Sequence, residues 1–135
     1  DLEADNLKYL CEKVLSSKID GLIISNTTIS RDSISTDTLE KGGLSGKPIF
    51  DISTKQLRMT YKYTNGKIPL IGVGGVDSAE KAYEKIKNGA SLIQLYTGLV
   101  YNGPNLIKDI NEDLSSLIER DGYSNISEAV GAEVN

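Results

Sequence analysis

Two short segments, Gly74-Gly75 and Tyr96-Thr97-Gly98, carry residue types suited to holding a phosphate group. Glycine lets backbone N–H groups approach a ligand with no Cβ in the way, and a threonine hydroxyl adds one more donor. Amides oriented in this way hold an anion without lysine or arginine. Taken alone, Gly74-Gly75 reads as a tight strand-to-helix turn, and a second segment of the same kind shifts the reading toward binding. Ser25-Asn26-Thr27-Thr28 offers donors and acceptors without charge, which suits the amide and carbonyl edges of a polar planar ligand and equally suits an ordinary turn. Gly42-Gly43-Leu44-Ser45-Gly46-Lys47 is glycine-rich but lacks the spacing of a nucleotide-triphosphate loop. Cys11 falls on an apolar helical stripe and reads as a buried, inert thiol. The carboxylates lie mostly on polar helix faces, and none forms an acid/base couple. The ligand-holding chemistry is present, and a catalytic acid, base or nucleophile is not evident.

The elements that must position these residues follow a repeating grammar. Leu7, Leu10, Cys11, Val14 and Leu15 recur at helical spacing between Asp5 and Ser17. Gly21-Leu22-Ile23-Ile24 is an unalternating apolar run, which predicts a strand buried on both faces. A polar excursion from about Ser30 to Lys47 follows, long enough to suggest a functional loop. Asp51 or Ser53 then caps a helix that Leu57, Met59 and Tyr61 anchor and Asn65-Gly66 ends. Next come a strand at Pro69–Gly72, a turn at Val73–Val76, and a helix capped by Asp77 or Ser78 and ending at Asn88-Gly89. A third buried strand at Leu92–Leu95 precedes a last helix carrying Leu106, Ile107, Ile110, Leu114, Leu117 and Ile118 and closing near Asp121-Gly122. Strand, turn, capped helix, strand is the pattern of parallel α/β folds.

At 135 residues with 25% charged and 39% hydrophobic residues, the chain has the composition of one packed domain. A net charge of −4 argues against nucleic acid or an anionic membrane as the main partner. With no histidine and one cysteine, the common zinc sites are excluded, so no metal site is expected. The single cysteine also excludes an internal disulfide, in keeping with an intracellular setting. No apolar run approaches the ~20 residues of a membrane span. Three parallel strands alone would leave two unpaired edges, and a complete (β/α)8 TIM barrel takes roughly 250 residues. The chain also opens at Asp1 without methionine. We therefore expect residues 1–135 to be the carboxyl-terminal part of a TIM barrel, about three βα units preceded by a helix. In such a barrel the site lies at the carboxyl ends of the strands, with phosphate at the last two, where Gly74-Gly75 and Tyr96-Thr97 fall.

Taken in order, Asp20–Thr28, Gly42–Pro48, Ile71–Val76 and Gly89–Thr97 resemble the carboxyl-terminal part of dihydroorotate dehydrogenase, and a tail at Ile126–Ala132 resembles that family's end. The step from Ser45-Gly46 to Lys47-Pro48, and Tyr96-Thr97 followed by Asn102-Gly103-Pro104, resemble the quinone-reducing class 2 enzymes. The resemblance implies an FMN-dependent oxidation of dihydroorotate to orotate in pyrimidine biosynthesis, with electrons passed to a quinone. It implies that Ser25, Ser45, Gly46, Gly74, Gly75, Tyr96 and Thr97 hold FMN, the last four at its phosphate, and that Asn26 and Thr27 hold the substrate. Ser25 stands where the family has threonine and keeps the hydroxyl. The same resemblance places the catalytic base, a flavin-contacting lysine and the membrane-associated quinone tunnel upstream of Asp1, so no catalytic residue is assigned in this chain and the 135 residues alone are expected not to turn over. The full-length protein would then associate with a bacterial or mitochondrial inner membrane. Two alternatives remain at this point: another FMN- or phosphate-binding barrel oxidoreductase, and a non-catalytic half-barrel that self-associates through its open edges.

Overall fold

In the computed structural model, residues 1–35 and 41–134 are described. Helix α1 (Ala4–Leu15) leads into strand β1 (Leu22–Ile24). A 3₁₀ turn at Lys47–Ile49 runs directly into α2 (Phe50–Thr64), followed by β2 (Leu70–Val73), α3 (Ala79–Lys87) and β3 (Leu92–Gln94). Three helices close the chain: α4 (Thr97–Asn102), α5 (Asn105–Arg120) and α6 (Ile126–Ala129). The strands form one parallel sheet in the order β1-β2-β3. The expected excursion at 30–47 is described only on either side of residues 36–40. Its returning end is pinned by an antiparallel bridge between Thr28 and Leu44, with Leu44 N–H donating to Thr28 O at 2.8 Å.

The sheet has two unlike faces. Partners in register point their side chains the same way, which puts Ile23, Ile71 and Leu92 on one face together with Val73 and Gln94. Leu22, Leu70, Ile24, Gly72 and Ile93 share the other. The second face packs under the helices: Ile24 and Leu70 join Val14, Leu57, Ile68 and Ala90 in one core cluster. Ile93 packs against that cluster and against two more, one centred on Phe50, Ala82, Leu106 and Ile110 and one on Tyr83, Ile86 and Ala129. The first face is bare in this chain, with Ile23 57% and Leu92 63% exposed. The expectation that β1 and β3 are buried on both faces is thus corrected, since the helices cover only one side.

Several local expectations also shift. Neither Asp51 nor Ser53 caps α2: the 3₁₀ turn, with Pro48 where a missing N–H is tolerated, feeds the helix directly, and Ser53 is buried inside it. Helix α2 buries few large apolar groups because its inner face is made of Ser53, Leu57, Thr60 and Thr64. Thr60 and Thr64 satisfy their hydroxyls on the carbonyls of Gln56 and Thr60, at 2.8 and 2.9 Å. Asn65 ends the helix at φ 51°, as its type suggests. At α3 the cap is Ser78, whose hydroxyl accepts from Lys81 N–H, and Asp77 is free for other work. On α1 the apolar stripe is narrower than expected, since Leu7, Cys11 and Val14 are buried but Leu10 and Leu15 are exposed. On α5, likewise, Leu106 and Ile110 are buried while Ile107 is exposed. Burial pushes the Cys11 thiol up, in keeping with an inert thiol.

Candidate functional site

The ends of all three strands open on one cleft of about 160 Å³. Its walls contain Ser25, Asn26 and Thr27 after β1, Ser45 and Gly46 from the returning excursion, Gly74 and Gly75 after β2, and Tyr96 and Thr97 after β3. Every one of the site residues expected from the sequence is therefore brought to a single place, from four separate stretches of chain. A larger cavity of about 690 Å³ adjoins it and shares Ser45, Gly46, Gly75 and Thr97, with Lys47, Asp77 and Tyr101 on its far wall.

Local chemistry explains how each group is held. After β1 the Ile24–Ser25 peptide is cis, and Asn26 Oδ1 accepts from Thr27 N–H at 2.8 Å. Thr28 turns away from the cleft: its hydroxyl bonds the Asp1 carboxylate, whose second oxygen takes Ile29 N–H at 2.9 Å. Thr27 lies tight against the excursion, because a Cβ built on Gly43 would fall 1.9 Å from Thr27 Oγ1. Thr97 Oγ1 donates to Ser45 Oγ at 3.0 Å, joining the excursion to the end of β3. Gly74 and Gly75 both have positive φ, +103° and +76°, which side-chain-bearing residues rarely adopt. This turn is packed onto α2, where a Cβ on Gly75 would lie 2.6–2.8 Å from Phe50 Cβ, Cα and N.

No charged side chain lines the smaller cleft. On the rim of its neighbour stands Asp77, bonded to Lys47 at 2.8 Å and to Lys81 at 2.9 Å. Burial pushes the Asp77 carboxyl up, but the hydrogen bonds from both lysines outweigh it and hold its pKa below the usual carboxylate value. Lys47 is raised in return by its bond to Asp77. These pairs tie the 3₁₀ turn to the start of α3 and neutralise Asp77, two residues after the glycine turn. Beneath that turn lies a lysine that sequence reasoning missed. Lys85 is fully buried, donates to Ser53 Oγ at 2.8 Å and to Thr54 Oγ1 at 3.0 Å, and sits 5.0 Å from the centroid of the Phe50 ring. Burial pushes its pKa down to about 8. The sequence signal was Gly72 in mid-strand, since a Cβ there would meet Lys85 Cδ at 3.2 Å.

A small cleft of neutral donors and glycine amides, without a carboxylate in its walls, suits one anionic end of a ligand. Its volume falls below the roughly 300–1,000 Å³ of a complete ligand pocket. The remainder of a ligand would lie along the bare strand face, where Ile23, Val73 and Gln94 are presented. Among the described residues no group of three or more His, Cys, Asp or Glu could hold a metal, and no helix is long and apolar enough to cross a membrane.

Fold and site together define a parallel βα protein with a small-ligand cleft at the carboxyl ends of its strands. The family model for dihydroorotate dehydrogenase matches residues 1–118, and the chain belongs to that family. It is 54% identical to the mitochondrial dihydroorotate dehydrogenase (quinone) of Arabidopsis thaliana over 136 aligned positions, covering 98% of this chain and 30% of that one. It is 47% identical to the dihydroorotate dehydrogenase (quinone) of Parvibaculum lavamentivorans, covering 100% of this chain and 39% of the relative. The crystal structure of ligand-free DHODH from Eimeria tenella superposes with a TM-score of 0.94 at 34% identity, over 100% of this chain and 38% of that one. The chain thus spans between about three tenths and two fifths of the relatives' length.

Proposed function

We propose that this chain is the carboxyl-terminal part of a class 2 dihydroorotate dehydrogenase barrel, which oxidises dihydroorotate to orotate in pyrimidine biosynthesis and passes the electrons to a quinone at a membrane. The observation that carries this reading is the convergence of nine residues from four stretches of chain on one carboxylate-free cleft. The phosphate of FMN fits the amides of Gly74 and Gly75 and the Tyr96-Thr97 segment, while Ser25, Ser45 and Gly46 would lie along the rest of the cofactor. When bound, FMN supplies the redox chemistry, and the protein's part is positioning and electrostatics. Asn26 and Thr27 would orient the substrate from the end of β1, each offering an uncharged donor and acceptor. None of the nine is an evident catalytic acid or base, so the proton that leaves with the hydride needs a group beyond these nine, which the family resemblance places upstream of Asp1.

The bare face of the sheet supports the barrel reading. Ile23, Ile71 and Leu92 form an apolar row that the remaining strands of a barrel would cover. As an isolated chain it is expected to self-associate through this face and its open edges, and sedimentation across a wide concentration range would detect it. A clean monomer throughout would count against that expectation.

Asn26→Ala in the full-length protein tests the assignment. The expected result is a raised KM for dihydroorotate with flavin content unchanged. An unchanged KM would remove the pyrimidine assignment and leave only a phosphate-binding barrel.

A further inference from the structure

Lys85 is an unusual group to bury. It has no exposed surface, and among the described residues no carboxylate lies within ion-pair distance of it. Its neighbours on α2 are two hydroxyls and an aromatic face, from Ser53, Thr54 and Phe50. The nearby acidic influence is Glu84 on its own helix, and it is outweighed by burial. An unpaired buried cation is costly, and a hydrophobic residue of similar volume would relieve that cost.

Its position shows what the charge can do. Ser53 Oγ accepts from Lys85 and lies 3.0 Å from Gly74 O and 2.9 Å from Phe50 O, its single proton serving one or the other carbonyl. The Gly74 carbonyl and the Gly75 N–H belong to one peptide unit, and the only cis bond among the described residues is Ile24–Ser25. In a trans peptide the two dipoles point in opposite directions. Drawing the carbonyl toward Ser53 therefore turns the Gly75 N–H away from α2, and Gly75 lines the cleft. The cation also stands behind the turn, on the side away from an incoming anion, in a low-dielectric setting that screens it weakly.

Resting on the phosphate reading of the cleft given above, we propose that Lys85 is a positioning residue for that phosphate: through Ser53 it fixes the Gly74–Gly75 peptide with its N–H toward the cleft, and its buried charge makes the site select a phosphorylated over an unphosphorylated flavin. Lys85 touches neither cofactor nor substrate in this scheme. It acts through the hydroxyl of Ser53 and through its field.

The test uses the full-length apoprotein and compares the affinities of FMN and riboflavin, which differ by the phosphate, from quenching of flavin fluorescence. Wild type is expected to prefer FMN strongly. Lys85→Met is expected to lower FMN affinity by at least about tenfold, as for loss of a charge-assisted contact, and to leave riboflavin affinity unchanged. Ser53→Ala, which retains the cation and removes the relay, is expected to lower the FMN preference by a smaller factor and decides the matter should Lys85→Met fail to fold. A preference for FMN that survives both variants, or an equal loss of both flavins, would overturn the role of Lys85 and leave the cleft reading intact. Equal affinities in the wild type would sink the cleft reading and this inference with it.

Discussion

The two ends of the site are built on different principles. After β1, the proposed recognition rests on the side chains of Asn26 and Thr27, which are exposed and held mainly by a local bond and by contact with Gly43. After β2, the proposed phosphate site rests on the backbone of Gly74 and Gly75, backed by the buried Lys85, Ser53 and Phe50. Side chains can be exchanged one at a time, so the first end can be retuned for a different planar ligand at modest cost to the fold. A backbone clamp cannot be altered without disturbing the core behind it. This contrast fits a site in which a constant anionic group is held at one end and a variable one at the other.

The comparison breaks most severely at Gly75. A Cβ there would overlap Phe50 Cβ at 2.6 Å and its backbone at 2.7–2.8 Å, in a conformation of φ +76°. Gly75→Ala in the full-length protein is expected to cost on the order of 2–4 kcal/mol of stability, in the range of overpacking with backbone strain. Flavin should be lost with it, which absorbance of the purified protein and a thermal melt would both report. Retention of flavin with an unchanged melt would mean that the turn is plastic and the clamp is not built on it.

Gly43→Ala should strike the opposite end. Its Cβ would fall 1.9 Å from Thr27 Oγ1, and the Thr27 side chain must swing away. Losing one neutral hydrogen bond to substrate corresponds to roughly 0.5–1.5 kcal/mol, or about a threefold to tenfold rise in dihydroorotate KM. Flavin content should be unchanged. A loss of flavin equal to that in Gly75→Ala would erase the distinction between the two ends.

How much of this was legible in the sequence follows from the same contrast. Glycine pairs, a Ser-Asn-Thr run and a Tyr-Thr step point to a candidate site only in combination, because residue type dictates what a backbone or hydroxyl can do while each segment alone also suits an ordinary turn. The supporting layer behind them was far harder to read. Lys85 looks like any lysine on an amphipathic helix, and its one trace is Gly72, whose missing Cβ leaves room for it beneath the sheet. Ser53 looks like a cap, yet the 3₁₀ turn at Lys47–Ile49 starts the helix earlier and carries Ser53 into the core. The short helix α4 has no apolar periodicity to betray it. Strands β1 and β3 read as buried on both sides because the exposed Ile23 and Leu92 have the same apolar character as the covered Ile24 and Ile93.

The supporting layer yields a further expected effect, of intermediate size, in the pH dependence of stability. Lys85 has its folded pKa lowered from 10.5 to about 8. Between those values the unfolded chain binds the proton and the folded one does not, so stability gained from this group rises with pH through that window. Its cost is fully present below about pH 8, and a shift of this size corresponds to on the order of 3 kcal/mol as an upper bound. Lys85→Met apoprotein is therefore expected to equal or exceed wild type at pH 7 in denaturant melts, with the gap closing as pH approaches 10. A gap that stays constant over that range would show that the buried lysine remains fully charged, with its pKa not lowered by burial.

The smallest effect is expected on the rim, at Asp77. Its two lysine partners hold its folded pKa below the ordinary 3.8, so its contribution is present above that value and is lost as pH falls through the folded pKa. Lys47 is largely exposed, which leaves that pair open to screening by salt. Asp77→Asn should thus lower stability slightly at neutral pH and low ionic strength, with the difference shrinking in high salt and vanishing in strong acid. Because Asp77 ties the 3₁₀ turn to α3 from outside the core, the FMN preference over riboflavin should survive this substitution. If it fell as far as in Lys85→Met, the rim and not the buried lysine would be what holds the glycine turn in place.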